Sequence, residues 1–361
     1  MKFAVLGSGN GARAWCGQIA AKGYPVVMWE PLSDAPDFTK LKAGGKISLK
    51  GDINLTGTLA GVTMNIEEAM DGAEMILVIV PSFAHEPIFT KMIPHLKDGQ
   101  HVVVVPGNFA AYRLRDMMSR AGCTKQISIS TTETMPYACR ISEFDTVHIL
   151  KKKYAIHLAS SPIAAGDYVR SVLNDAFDGY VTFEAVEHIL VQDLSNINYV
   201  MHPYPVLLNY GEIEKHPTTY RHYMDGITPL ISEQMGLLDE ERLMIGEKLG
   251  FKLESCLALM KKYYGQNDAK NLDEYVHSPE TPYEDLIGQN VRSRYITEDV
   301  PGVLMPIARI AHKAGIATPR TDTIITFASQ LHGTDYWNTG TTLASLGLED
   351  KSIDEILHMM K

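Results

Sequence analysis

Along the first half of the chain, short apolar runs that stop at glycine or proline alternate with stretches of helical spacing. Lys2-Phe-Ala-Val-Leu6 ends at Gly7, Pro25-Val-Val-Met-Trp29 ends at Glu30, Met75-Ile-Leu-Val-Ile-Val80 stops at Pro81, and His101-Val-Val-Val-Val105 stops at Pro106. Gln126-Ile-Ser-Ile-Ser-Thr131 adds one more. Apolar runs of this length predict strands buried on both faces, as in a parallel sheet. Helical patterns fall between them around 12–21, 84–96 and 109–121. The segment 47–64, rich in Gly, Thr and β-branched residues, predicts a hairpin excursion. Strand alternating with helix predicts a parallel α/β sheet.

From Glu184 the texture changes. Apolar residues recur at three- and four-residue spacing over 186–201, 228–249, 253–263, 303–314 and 321–332, with no second run of strands. Tyr263 to Pro282 is polar and predicts a loop or a lid. The chain has 361 residues, and single cores stop growing at roughly 250–300 residues, so two domains are expected. Their boundary falls at about 185, giving an α/β domain over 1–185 and an all-α helical domain over 186–361.

Composition narrows the function classes. Hydrophobic residues at 45% and charged residues at 21% exclude a disordered, collagen-like or coiled-coil chain. A net charge of -10 repels phosphate backbones, so no nucleic-acid partner is expected, although a local basic pocket for a small anion is allowed. The four cysteines, at 16, 123, 139 and 256, include no C-x-x-C and read as free thiols of a reducing compartment. No H-E-x-x-H or clustered ligand spacing is found, so no metal is expected. The apolar Met1–Leu6 run is too short for a signal peptide, and no stretch approaches the roughly 18 apolar residues of a membrane helix. The expectation is a cytoplasmic chain with no membrane partner.

The turn Gly7-Ser8-Gly9-Asn10-Gly11-Ala12 follows a strand and opens a helix, the context in which G-x-G-x-x-A signals a dinucleotide. Gly7 permits the tight turn, Gly9 lets the backbone approach a diphosphate, and small Ala12 allows close packing of helix on strand. With Asn10 and Gly11, they present the unpaired N–H groups of a helix start. Glu30, eighteen residues after Ala12, stands at the tip of the second strand. A carboxylate there accepts both ribose hydroxyls and repels a 2′-phosphate. Pro31-Leu-Ser-Asp34 supplies no cation to compensate, so the expected cofactor is NAD rather than NADP.

In the second half, helical spacing places Ser195, Asn198 and His202 on one face, and Pro203 and Pro205 follow directly. Proline pushes the residue before it out of helical geometry, so His202 is expected at a helix end or kink, where an imidazole suits proton transfer near neutrality. From this segment alone a hydrogen-bonded structural histidine at a helix terminus is the plainer explanation. Further on, Arg294 and Asp299 lie just before a helical stretch. Arginine is the preferred reader of a carboxylate, and an aspartate beside an imidazole fixes its tautomer. A surface ion-pair patch ahead of a helix is the plainer alternative.

The chain resembles the NAD-dependent opine dehydrogenases, the octopine/nopaline dehydrogenase family, and most of all the bacterial N-(1-carboxyethyl)-norvaline dehydrogenase type. The resemblance runs over nearly the whole chain. It is carried by Ala4-Val-Leu-Gly-x-Gly-Asn-Gly11, Glu133-Thr134 with Cys139-Arg140, Asn198-x-x-x-His202-Pro203, Gly226-Ile-Thr-Pro229, Arg294-Tyr295-x-x-Glu298-Asp299 and Thr318-Pro319. It implies a Rossmann-type NAD-binding domain followed by an all-helical substrate domain. It also implies that His202 is the catalytic acid/base, that Asp299 orients it, that Arg294 holds a 2-oxo acid carboxylate, and that Asn198 lies near the substrate or nicotinamide. The implied reaction joins a 2-oxo acid such as pyruvate to the amino group of an amino acid and reduces the imine with NADH.

The amino donor stays open. Tyr199, Tyr204, Tyr220, His222 and Tyr223 are candidates to line its pocket or simply to fill the core, and a basic donor would need an acid such as Glu133 or Glu143. The oligomeric state is also open, a homodimer being compatible. Two rivals stand beside this reading: a ketopantoate or 2-hydroxy acid reductase on a related scaffold, and a non-catalytic NAD(H) sensor.

Overall fold

The computed structural model describes residues 1–32, 37–284, 286–288 and 290–360. Ser33 and Asp34, part of the segment after Glu30, lie outside them. The chain divides into two compact units, Met1–Gln192 with Met360–Lys361, and Asp193–Met359.

The first unit carries twelve strands: β1 (Phe3–Leu6), β2 (Val26–Trp29), β3 (Lys46–Gly51), β4 (Leu55–Thr58), β5 (Gly61–Thr63), β6 (Met75–Val78), β7 (His101–Val104), β8 (Ser128–Thr132), β9 (Tyr137–Glu143), β10 (Thr146–Lys152), β11 (Ala155–Ser161) and β12 (Thr182–Ala185). Eight form one sheet in the order β12-β11-β8-β7-β6-β1-β2-β5. All neighbours pair in parallel except β11, which runs antiparallel to β8. From β1 the chain moves outward through β2 and β5, then returns to β6 on the other side. The strand order therefore reverses at β1 and β6, and doubly wound sheets take ligands beyond the carboxyl ends of such a pair. Both strands are buried at every position, which is why their sequences are uninterrupted apolar runs.

The helix Asn10–Ala21 is buried from Ala12 through Ala20, and its composition follows from being covered on more than one side. Trp15 packs edge-on against Phe177 and Phe183, at 4.7 and 5.8 Å between ring centres. Other positions meet a second sheet, β4-β3-β10-β9. Gly17 faces Ile47 there, and a Cβ on Gly57 would come within 2.3 Å of the Gly17 carbonyl. The hairpin expected over 47–64 forms as the antiparallel β3–β4 pair, while β5 joins the main sheet. Strands β9 to β12 were not anticipated. In β10, buried Val147 and Ile149 flank exposed His148, the alternation of a strand with one wet face.

In the second unit no strand occurs among the described residues, and its longest helices are Pro229–Lys248 and Pro319–His332. Each opens on a Thr-Pro pair. Thr228 accepts the Ile231 N–H and Pro229 takes the first turn, where its missing donor is not needed. At the second start the cap comes from elsewhere: the Glu241 carboxylate accepts the N–H groups of Arg320 and Thr321, both at 2.9 Å. Arg242, fully buried, pairs with Asp239 at 2.6 Å and donates to the carbonyls of Leu194 and Glu254. The polar stretch 263–282 is not a bare loop. It contains the helix Leu272–Val276, capped by the Asn271 side chain on the Glu274 N–H.

Candidate active site

The glycine turn is shaped by its neighbours in the first unit. Gly7 has φ +127°, and a Cβ there would lie 2.5 Å from the Ile79 carbonyl at the end of β6. Glycine alone accepts both the dihedral and the contact. At Gly9 nothing lies within 4 Å of the position a Cβ would take, so the backbone is open to a ligand. A Cβ at Gly11 would strike the Met135 side chain, which packs in its place. Ala12 is buried. No side chain caps the start of the Asn10–Ala21 helix, whose first N–H groups suit a diphosphate. The Asn10 side-chain oxygen accepts the Ile141 N–H at 2.7 Å, tying the turn to β9.

Glu30, 4% exposed, accepts the Leu32 N–H at 2.8 Å and the Ser8 hydroxyl. Its carboxylate therefore already braces the turn it stands beside. The open Gly9 edge, the uncapped helix start and this acid together fit the diphosphate and ribose of a dinucleotide.

The helix expected over 186–201 is broken. Ile189–Leu194 ends, the Asn196 side chain takes the Asn198 N–H at 3.0 Å, and a separate short helix runs Asn198–Met201. Short Asn and Ser side chains compete for backbone groups in this way. Ser195 thus does not share a helix with His202, which joins Asn198–Met201 to Pro203–Leu208. His202 thus stands at a helix end, as expected, but Pro203 does not push it out of helical geometry: its backbone stays in the right-handed helical region, at φ -108° and ψ -51°. His202 Nδ1 lies 2.6 Å from Asp299 Oδ2, and its Nε2 lies 3.0 Å from the Tyr223 hydroxyl. Tyr295 stacks on the ring at 3.8 Å, nearly parallel.

Burial pushes the Asp299 carboxyl up, to about 7, against the opposing pull of Arg294 and of a hydrogen bond from Asn198. Asn198 is therefore beside the dyad even though the helix face that would have put it there does not exist. Arg294 opens the short helix Arg294–Thr297 with its side chain exposed. Desolvation acts to lower its pKa, but Glu298, then Tyr295 and Asp299, outweigh this and hold the guanidinium more firmly protonated. Among the described residues no hydrogen bond or ion pair occupies its donors, so the fork is available to an incoming carboxylate.

Two residues of this cluster were legible only as aromatic candidates. His222 donates its Nε2 proton to the Met201 carbonyl at 3.1 Å. Burial, reinforced by His202, lowers its pKa to about 3 despite that bond, so it stays neutral. Tyr223 stacks on Tyr283 at 3.8 Å and touches His202 directly. Nothing in the spacing from His202 signals either contact. Of the acids considered for a basic donor, Glu133 is fully buried, with both oxygens against the His157 N–H, and is spent on the fold.

The second half of the chain, residues 185–332, matches the family model of the NAD/NADP octopine/nopaline dehydrogenase alpha-helical domain. Residues 2–117 match that of the NAD-dependent glycerol-3-phosphate dehydrogenase N-terminus. An opine dehydrogenase of Arthrobacter sp. (strain 1C) is 31% identical over 350 residues, which is 96% of this chain and 95% of that one. The chain belongs to the opine dehydrogenase family. It is an NAD-dependent oxidoreductase acting on CH–NH donors, and its reaction is the reductive condensation of a 2-oxo acid with an amino group. An octopine dehydrogenase of Mizuhopecten yessoensis is 24% identical over 93% of this chain and 91% of its own. The fold is shared with octopine dehydrogenase solved with NADH and L-arginine, at TM-score 0.80, 23% identity and 100% and 98% coverage of the two chains. A ketopantoate reductase from Ralstonia eutropha shares it more distantly, at TM-score 0.63, 14% identity and 92% and 99% coverage. An opine dehydrogenase and a ketopantoate reductase can thus rest on one scaffold, and the site chemistry separates them.

Proposed function

We propose that His202 and Asp299 are the acid/base pair of this opine dehydrogenase and that Arg294 binds the 2-oxo acid through its carboxylate. The 2.6 Å contact between His202 Nδ1 and Asp299, 97 residues apart in sequence, carries the reading. Such a bond fixes the imidazole tautomer and stabilises its charged form. Asn198, bonded to the same carboxylate, positions Asp299 and stands ready near the substrate. Arg294 removes much of the entropic cost of aligning the keto acid. The dyad supplies a proton to the departing hydroxyl as amine and ketone condense, and takes it back in the reverse direction. NADH, when bound, supplies the hydride that saturates the new carbon–nitrogen bond.

The assignment extends to the cofactor half. Residues 1–185 take NAD through the backbone of Gly7, Gly9, Asn10, Gly11 and Ala12 and the Glu30 carboxylate, and 186–361 take the two small-molecule substrates. Residence in the cytoplasm is supported by four free cysteines. No helix among the described residues is long and apolar enough to cross a membrane. A homodimer is the assembly to look for by light scattering.

The decisive experiment follows NADH oxidation with pyruvate alone, with an amino acid mixture alone, and with both. Turnover only with both is expected. Turnover with pyruvate alone would favour a 2-hydroxy acid reductase. Tight NADH binding with no turnover on any pair would favour the sensor.

A further inference from the structure

Both ring nitrogens of His202 are engaged within the second unit. Nδ1 is held by Asp299 and Nε2 by the Tyr223 hydroxyl. The residue is 5% exposed, and Tyr295 covers one face of the ring. Both ring nitrogens are taken in this arrangement, and the next polar atom on the way to half-buried Tyr295 and exposed Arg294 is the Tyr223 hydroxyl. Tyr223 is held in place rather than loosely draped over the imidazole. Its ring stacks on Tyr283 at 15°, and Tyr283 is anchored by hydrogen bonds to Met260 Sδ and to Tyr264. The Tyr223 hydroxyl is also hydrogen-bonded to Tyr295, which is half-buried and adjoins the exposed Arg294. The polar chain Asp299–His202–Tyr223–Tyr295 runs from fully buried groups toward the guanidinium that reads the keto acid.

We propose that the Tyr223 hydroxyl is the atom through which His202 exchanges its proton with the substrate, which makes Tyr223 a catalytic residue of the condensation. The proposal rests on His202 and Asp299 being the acid/base pair. In the dehydrating step the nitrogen lone pair of the carbinolamine forms the C=N bond as the C–O bond breaks. The leaving oxygen takes the Tyr223 Oη proton, Oη takes the Nε2 proton of the imidazolium, and water departs. His202 is left neutral, with its Nδ1 proton on the Asp299 bond. The reverse reaction retraces the same two proton hops. Burial, with neighbouring Tyr295, pushes the Tyr223 phenol well above its ordinary pKa. The hydroxyl therefore passes a proton on as another arrives and does not stand as a phenolate.

The test is Tyr223→Phe, which keeps the ring and its stacking but removes the relay atom. With pyruvate, an accepted amino acid and NADH at saturation, kcat should fall about 10²-fold, the lower range for loss of a proton-transfer group. The NADH Kd should be unchanged. The dependence of kcat on the D2O fraction should be bowed in the wild-type enzyme, with two protons in flight, and should become linear in the variant. A Tyr223 that merely held His202 in place would leave the curvature as it was. Variant kcat within threefold of wild type, or equal curvature in both, overturns the relay. A linear dependence in the wild-type enzyme alone does the same, whether or not the variant folds. His202→Asn separates the two levels of the argument. If it is inactive while Tyr223→Phe is fully active, the dyad stands and the relay falls. If it turns over normally, the dyad itself falls and the relay with it.

Discussion

The glycine turn of the first unit and the His202 cluster of the second prepare for chemistry by different means. The turn works through backbone. Gly7 and Gly9 matter for the side chains they lack, and all the parts but Glu30 lie within six consecutive residues. The cluster works through side chains drawn from Asn198, His202, Tyr223, Tyr295 and Asp299, held by hydrogen bonds and ring stacking across about a hundred residues of sequence, with Arg294 in their electrostatic reach. A site made of local backbone tolerates almost no change of residue yet asks little of the rest of the fold. A site made of distant side chains depends on every element that delivers one.

The comparison breaks most visibly under crossed substitutions. His202→Ala removes the proposed acid/base and should cost roughly 10²–10⁴-fold in kcat, while the NADH Kd stays at the wild-type value. Gly7→Ala should do the reverse. It forces a Cβ to 2.5 Å from the Ile79 carbonyl at φ +127°, a backbone region that is strained for any L side chain. NADH affinity should fall at least about tenfold, on a strain of order 1–3 kcal/mol. Titrating NADH by fluorescence against both variants, with steady-state kcat alongside, checks the crossing. Loss of cofactor affinity in His202→Ala would mean that the two regions are not separable in this way.

The same contrast explains what the sequence could tell. The dinucleotide turn was legible because its signal is a fixed spacing beside a buried strand. The candidacy of His202 came from Pro203, a local effect. Its partners Asp299 and Arg294 were legible as residue types beside a helix, and their convergence rested on the resemblance to a family. Tyr223 and His222 carried no such mark, since aromatic residues near a helix end fill cores as readily as sites. The helix over 186–201 was misread because Asn196 offers its own side chain to the backbone where periodicity alone would continue the helix. Strands β9, β10 and β12 escape the pattern because half-wet and edge strands alternate instead of running apolar, and β11, although buried throughout, because His157, Ser160 and Ser161 interrupt its apolar run.

A medium effect should appear in the pH profile. Burial holds a proton on the Asp299 side of the pair up to about 7, with Arg294 and Asn198 opposing. The other groups close to the pair are Tyr295, stacked on the imidazole, Tyr223, held protonated, and His222, which burial keeps neutral. Because Asp299's pKa is raised, the extra proton is carried below about 7 and lost above it, and the two members titrate together. Condensation consumes that proton, so kcat with NADH at saturating substrate should decline as pH rises through 7. Oxidation of the opine releases it, so kcat with NAD should climb over the same range. Parallel profiles in the two directions would detach the pair from proton transfer.

The smallest expected effect is at Glu30, where the two means meet: a side chain that serves a backbone site. Its carboxylate already holds the Ser8 hydroxyl and the Leu32 N–H, so an amide in its place keeps the shape and much of the bracing. Glu30→Gln removes the negative charge that a 2′-phosphate would meet. It also weakens the acceptance of ribose hydroxyls, since charge-assisted bonds are roughly twice as strong as neutral ones. The NADH-over-NADPH preference in kcat/KM should therefore shrink by about tenfold, equivalent to ~1.4 kcal/mol, mostly through improved use of NADPH. Steady-state kinetics with both cofactors measures it directly. An unchanged ratio would take cofactor choice away from this carboxylate and leave discrimination to the turn's backbone, which has no charge with which to make it.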